Sequence, residues 1–173
     1  MEALIADIIT REGGFSDRSE DRGGPTKYGI TLATLAEWRG HPVTRADVAA
    51  LTREEAALIY AERYIRRPRF DQIADAALRE LVIDTGVNHG AGRAGRWLQD
   101  AVNHLTGAGL KVDGDVGPKT LAAVNAAHPR RLFARYLARR IRGYADFVQS
   151  SPDQLANLEG WNARAASFIE RLA

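Results

Sequence analysis

Glu12 ends a run in which Ile5, Ile8 and Ile9 recur at helical spacing, and Gly13-Gly14 follows at once as a stop signal. A carboxyl group in that position has two reasons to hold its proton near neutral pH: apolar neighbours on its own stripe, and the negative end of a helix dipole. Such a group is what a general acid requires. The polar, glycine-rich stretch that follows, FSDRSEDRGGPTKYGI, offers Asp17, Glu20 and Asp21 within reach. One neutral carboxyl and one ionised carboxyl in a wet loop form the pair that glycoside hydrolysis uses. A solvated last-turn glutamate beside a chance group of loop acids has the same spacing, so periodicity alone leaves both readings open.

Positioning such a pair falls to helices. Residues 2–12 form the first, and Thr31 caps a short one that runs to Arg39 and stops at Gly40. Thr44 with Asp47, and Thr52 with Glu55, open two more with capping-box character. The second runs to Arg67-Pro68, with Leu58, Ile59, Glu62 and Ile65 marking its period. Longer helices are expected over 73–87 and 91–105, the latter with Ala94, Trp97, Leu98, Ala101 and Leu105 on one side. Pro118 starts a helix to Ala127 after a tight loop, and the last two cover 129–150 and 152 to the end, with a break near Gly160. The one β element expected is a hairpin around Arg22-Gly23-Gly24-Pro25. The predicted fold class is therefore all-α with at most one small hairpin, arranged as a lobe over 1–80 and a helical lobe over 81–173, packed as one unit.

Composition removes several alternatives. A chain of 173 residues with 45% hydrophobic and 27% charged residues suits one globular domain or two small lobes. The absence of cysteine excludes a disulfide scaffold, a thiolate metal site and a cysteine nucleophile. His41, His89, His104 and His128 show no metal-ligand spacing, so no metal or cofactor is expected. The net charge of +2 permits an anionic polymer partner, and no base-reading motif points to nucleic acid. No stretch approaches 18 uncharged apolar residues, and the first residues carry acids where a secretory signal carries Lys or Arg. Neither membrane insertion nor a conventional export signal is expected.

The blocks Arg11-Glu12-Gly13-Gly14-Phe15 and Asp21-Arg22-Gly23-Gly24-Pro25-Thr26-Lys27-Tyr28-Gly29-Ile30-Thr31 resemble the signature of glycoside hydrolase family 108, the bacterial and phage N-acetylmuramidases. Further blocks resemble the predicted peptidoglycan-binding region that follows in that family: 84–90, Trp97-Leu98-Gln99, 113–120 and Gly160-Trp161-Asn162-Ala163-Arg164. The resemblance implies a lysozyme-like helical fold that cleaves the β-1,4 bond between N-acetylmuramic acid and N-acetylglucosamine. It places the catalytic acid at Glu12, the second carboxylate at Asp21, and at Thr26 a hydroxyl that helps hold the attacking water. Four residues separate Asp21 from Thr26, one fewer than in the related phage-type lysozymes. Arg22 stands where relatives often have an uncharged residue, and its guanidinium would favour ionised Asp21. Phe15 stands where many relatives carry Tyr.

Other positions keep two readings. Tyr28 either contacts a sugar or pins the hairpin to the body. Asn88 either binds an acetamido group or caps a helix end beside Gly90. Trp97 and Trp161 fall in helical stripes and are expected in the core, and the 113–120 loop is expected to be a structural turn. The arginines of 129–142 are expected mostly on a solvated face, where they pair with acids or draw the protein to an anionic wall. The combined expectation is a cofactor-free, monomeric endolysin-type muramidase of phage or prophage origin. It would accumulate in the cytoplasm and reach the periplasm through a holin-type pore or cell lysis. The rival readings are a lytic transglycosylase and a non-catalytic wall-binding or secretion-assisting protein.

Overall fold

The computed structural model describes residues 2–16 and 24–170, without the side chains of residues 2–4, 11 and 12. The chain divides into two compact units, Met1–Arg63 and Tyr64–Ala173. The fold is mostly helical and lysozyme-like, with one small sheet.

The first unit begins with α1 (Glu2–Glu12), which buries Ile5, Ile8 and Ile9 as its spacing requires. A three-stranded antiparallel sheet follows: β1 (Phe15–Ser16), β2 (Thr26–Lys27) and β3 (Ile30–Thr31), in that spatial order. Of the hairpin turn expected at 22–25, residues 22 and 23 lie outside the described residues. The third strand, formed by a second turn at Tyr28-Gly29, goes beyond the single hairpin read from the sequence.

Thr31 caps α2 (Leu32–Arg39) through its hydroxyl, and Gly40 ends it with φ +72°. Thr44 and Asp47 complete a reciprocal capping box on α3 (Arg45–Ala50), and the Thr44 hydroxyl and backbone hold the Asp47 carboxyl below its ordinary range. On α4 (Arg53–Ala61) only half of the expected box forms. The Thr52 hydroxyl accepts from Glu55 N, but the Glu55 carboxylate turns away to a two-pronged bond from Arg39, at 3.0 and 2.8 Å. That guanidinium lowers the Glu55 pKa and also reaches Asp47 at 3.3 Å, tying α2, α3 and α4 together. Arg53 bonds the Ala6 carbonyl and the Thr10 hydroxyl, fixing α4 to α1. Leu58, expected on the buried stripe, is 51% exposed, whereas Ile59 and Ile65 are buried; a π turn over Glu62–Arg66 shifts the period between them.

The second unit is built on α5 (Ala76–His89), α6 (Ala91–Thr106), α7 (Pro118–Ala126), α8 (Pro129–Ser150) and α9 (Leu158–Glu170). Asp75 caps α5, and Pro118 and Pro129 occupy first-turn positions. The expected break near Gly160 is displaced: a 3-10 segment covers Pro152–Asn157, and α9 runs through Gly160 without interruption. The 113–120 loop is a structural clamp. Gln99, buried on α6, donates to Asp113 at 2.9 Å and to the Asp115 carbonyl at 3.0 Å, and accepts from Gly114 N at 2.8 Å. Gly95 and Gly114 let α6 and the loop touch, because a Cβ on either would overlap backbone oxygen.

The centre of this unit is ionic. Asp84, 2% exposed on α5, receives Arg140 of α8 at 2.7 Å on one oxygen, and on the other Arg164 of α9 through both Nε and Nη2. Arg140 is an exception to the solvated face expected of the α8 arginines, being fully buried and also bonded to the Tyr144 hydroxyl at 2.6 Å. Beside it, Gly143 lies against the Trp97 indole, which a Cβ would overlap. Helix propensity favours Gly143→Ala by about 1 kcal/mol. We expect instead a net loss of about 1–3 kcal/mol in urea unfolding, because overpacking outweighs propensity. A stabilised variant would show that the indole can move aside.

Candidate active site

The first unit brings the end of α1, Thr26 and Tyr28 together through backbone. The two-residue turn between β2 and β3 has positive φ at both positions, +54° at Tyr28 and +72° at Gly29, which matches the right-handed twist of the strands. Asn-Gly would satisfy that turn without strain, whereas a bulky residue held left-handed costs on the order of 1–3 kcal/mol. Two bonds hold it there. Tyr28 N donates to the Gly13 carbonyl at 3.2 Å, and the buried Tyr60 hydroxyl donates to the Tyr28 carbonyl at 3.0 Å. The turn is thus fastened to the residue immediately after Glu12 by main-chain atoms, which leaves the Tyr28 ring out of the fastening.

Register then determines which side chains share a face. Thr26 lies opposite Ser16 on β1 and opposite Thr31 on β3, so three hydroxyl residues form a row across the sheet. Phe15, Lys27 and Ile30 occupy the other face. Thr31 spends its hydroxyl on capping α2, whereas Thr26 and Ser16 are half-buried. Ser16 is a candidate that the sequence did not disclose; the Tyr28-Gly29 turn is the signal that fixes the register. Lys27 donates to the Ala49 carbonyl at 2.6 Å, and its ammonium stands 5.4 Å from the Tyr28 ring centre. The Glu12 side chain and all of Asp21 lie outside the described residues.

Asn88 belongs to the second unit, near the end of α5. Its amide nitrogen bonds the Asp84 carbonyl at 2.7 Å, a local helical bond, and the residue lines a cavity of about 440 Å³. His89, Arg93, Phe147, Ser150, Ser151, Gln154 and Trp161 complete the lining. Trp97 is in the core as expected, but Trp161 is half-exposed in this wall, a correction to the core position expected of it. His89 sits among four rings, with centres 5.8 Å away for Trp97, 5.6 Å for Tyr144, 5.3 Å for Phe147 and 5.6 Å for Trp161. Among the described residues, no group of three or more His, Asp or Glu side chains could hold a metal ion.

The glycosyl hydrolase 108 family model matches residues 5–90, and the model described as a predicted peptidoglycan domain matches residues 93–166. The solved structure of Brucella abortus SagA is 31% identical, with a TM-score of 0.76, over 99% of this chain and 94% of that one. The chain belongs to glycosyl hydrolase family 108. It is a glycoside hydrolase whose polymer is peptidoglycan. No curated protein sequence matches it. The first family match ends at Gly90, the joint between α5 and α6, and the second begins at Arg93, so the cavity of this family 108 hydrolase takes Asn88 and His89 from one match and its other walls from the next.

Burial among the rings, reinforced by Arg140, Arg93 and Arg164, pushes the His89 imidazole down to about 4. Between that value and 6.5, the ordinary value that holds in the unfolded chain, the unfolded state binds more protons than the native one. Stability therefore falls as pH falls through this window. Allowing for solvent screening at the open side of the ring, the loss is on the order of 1–2 kcal/mol. Urea unfolding at pH 7 and pH 4.5 should show a larger drop for the wild type than for His89→Phe; equal drops would remove His89 as the cause.

Proposed function

We propose that this family 108 hydrolase is an N-acetylmuramidase that cleaves the β-1,4 bond between N-acetylmuramic acid and N-acetylglucosamine. Glu12 is the proton donor, Asp21 the second carboxylate, and Thr26 the hydroxyl that helps hold the attacking water. The observation that carries this reading is the bond from Tyr28 N to the Gly13 carbonyl. It fixes the strand bearing Thr26 against the end of the helix that bears Glu12. Acid and water-holding hydroxyl must keep their separation within a fraction of an ångström for general acid–base chemistry to gain from proximity. A main-chain tie reinforced by Tyr60 supplies that rigidity without using either functional side chain.

Tyr28 and Asn88 are the proposed sugar contacts. The Tyr28 backbone does the fastening, so its ring is available for a sugar face, and the hydroxyl row of Ser16 and Thr26 offers partners for sugar oxygens. For Asn88 the amide oxygen is the group to receive an acetamido N–H, its nitrogen being committed to Asp84. The wider proposal is an endolysin-type monomer that degrades the wall from the periplasm after holin-type release or lysis. No helix among the described residues is long and apolar enough to cross a membrane.

Mass spectrometry of fragments released from purified Gram-negative peptidoglycan, with Glu12→Gln in parallel, tests the chemistry. Reducible N-acetylmuramic acid ends are expected from the wild type and at least 100-fold fewer from the variant. Anhydro ends would move the assignment to a transglycosylase, and cleaved peptide stems would remove the glycosidase mechanism proposed for Glu12. Tyr28→Asn separates ring from turn: the left-handed position suits Asn, so stability is expected to hold or rise by up to about 1 kcal/mol while turnover falls. Undiminished turnover would leave the Tyr28 ring without a sugar to contact.

A further inference from the structure

Charge in the second unit is compensated unevenly. Arg139 pairs with Asp100 and Asp146, Arg140 and Arg164 with Asp84, and Arg69 with Asp115. Arg93, on the first turn of α6 and exposed at the cavity, pairs with no carboxylate of the described residues. Its guanidinium lies 4.5 Å from the centre of the Phe147 ring, with one nitrogen 3.5 Å from the His89 carbonyl. None of the eight residues that line the cavity is an acid, so Arg93 is the one fixed charge in its wall. A guanidinium stacked on an aromatic face keeps its fork of donors free at the edge, the geometry that takes a carboxylate with two parallel bonds.

The rest of the wall suits the same visitor. Ser150, Ser151 and Gln154 supply neutral hydrogen-bonding groups where α8 passes into the 3-10 segment, and Trp161 and Phe147 supply flat apolar faces. The Nε2 of His89 is buried without a hydrogen-bond partner among the described residues, and burial together with the surrounding arginines presses that ring toward its neutral form. Arg93 is therefore the positive group that a ligand entering this cavity would meet.

We propose that this cavity binds a free carboxylate on a short amphipathic chain, which in the polymer this hydrolase acts on is the peptide stem. This rests on the peptidoglycan reading and adds to it a division of recognition. The repeating sugars carry no charge once the lactyl carboxyl is amide-linked to the stem, so an unpaired arginine has no partner on the glycan. The free carboxylates of the wall are on the stems. Arg93 is the carboxylate-binding residue, Phe147 holds its guanidinium in place, and Trp161 packs against the aliphatic part of the peptide.

The test is titration calorimetry on the full chain at pH 7 with three probes: a stem tetrapeptide with its carboxylates free, the same peptide with every carboxylate amidated, and an N-acetylglucosamine–N-acetylmuramic acid disaccharide whose lactyl carboxyl is capped as an amide. The free-acid peptide should bind, its amide at least tenfold more weakly, and Arg93→Gln should lose at least tenfold affinity for the acid while Arg93→Lys loses less. Arg93 is exposed, so these variants should keep the wild-type unfolding curve. Equal binding of acid and amide, or of wild type and Arg93→Gln, would overturn the proposal, as would tighter binding of the disaccharide than of the peptide. No peptide binding by a protein that still releases fragments from whole sacculi would overturn it and leave the hydrolase reading standing. Failure to release fragments would count against that reading separately.

Discussion

One carboxylate answering two guanidiniums organises the larger unit. Asp84 is almost completely buried, and a charge in that position is tolerable only with excellent pairing; here the pairing comes from two different helices. Arg140 reaches it from the middle of α8 and Arg164 from α9, so the positions of α5, α8 and α9 are set by the reach of side chains as well as by apolar packing. Removing the acid would leave two cations facing each other in low dielectric, a cost of roughly 3–5 kcal/mol. The arrangement leaves one positive charge in surplus, and that surplus propagates. It favours neutral His89 a little over one turn along α5, which lets that ring behave as one more aromatic in the cluster with Trp97, Tyr144, Phe147 and Trp161.

The smaller unit solves its positioning problem with main chain. A tyrosine in a left-handed turn position is strained, and it persists because the Gly13 carbonyl and the Tyr60 hydroxyl hold both its peptide groups. Strain of this kind belongs where geometry matters more than stability. The chain spends little elsewhere in this unit: Thr31, Thr44 and Thr52 cap three successive helices, and Arg39 gathers the carboxylates of two of them. The rigidity around the end of α1 thus comes from short local bonds, and the sheet needs only two residues per strand to set the row of Ser16, Thr26 and Thr31.

Features governed by near neighbours in sequence are legible in the sequence itself. The stripe of Ile5, Ile8 and Ile9, the threonine caps, Gly40, Pro118 and the 113–120 turn all follow from contacts within a few residues. What stayed hidden was long-range or atypical. Arg140 looks like one arginine of a solvated face because Asp84, 56 residues away, is invisible to helical periodicity. Tyr28-Gly29 does not resemble the Asn-Gly that usually announces such a turn, so the third strand and Ser16 went unseen. Trp161 has the spacing of a core residue but stands in the wall of a cavity, which no periodicity distinguishes from a core. Glu55 has the spacing of a capping box and yet serves Arg39, since a two-pronged ionic bond outweighs a return to its own cap.

In the proposed reading the two units rely on different kinds of charge. General acid–base cleavage needs carboxyl groups whose proton occupancy changes during the reaction, and a helix end beside a hydroxyl-lined strand is a place where burial and dipoles can tune that occupancy. Recognition of a carboxylate needs the opposite, a charge that never changes, and arginine stacked on a ring provides it. Combining both demands in one cluster would let a nearby guanidinium stabilise the ionised form of the acid that must stay protonated. A fold that gathers Arg93, Arg140 and Arg164 within the second unit, each in interaction with His89, concentrates permanent charge among groups that do not need to titrate. In the same unit Asp84 is held as the fixed counter-charge of two arginines. On the proposed mechanism, that is a reason for an arginine-rich helical unit to accompany a hydrolase whose chemistry would depend on a proton.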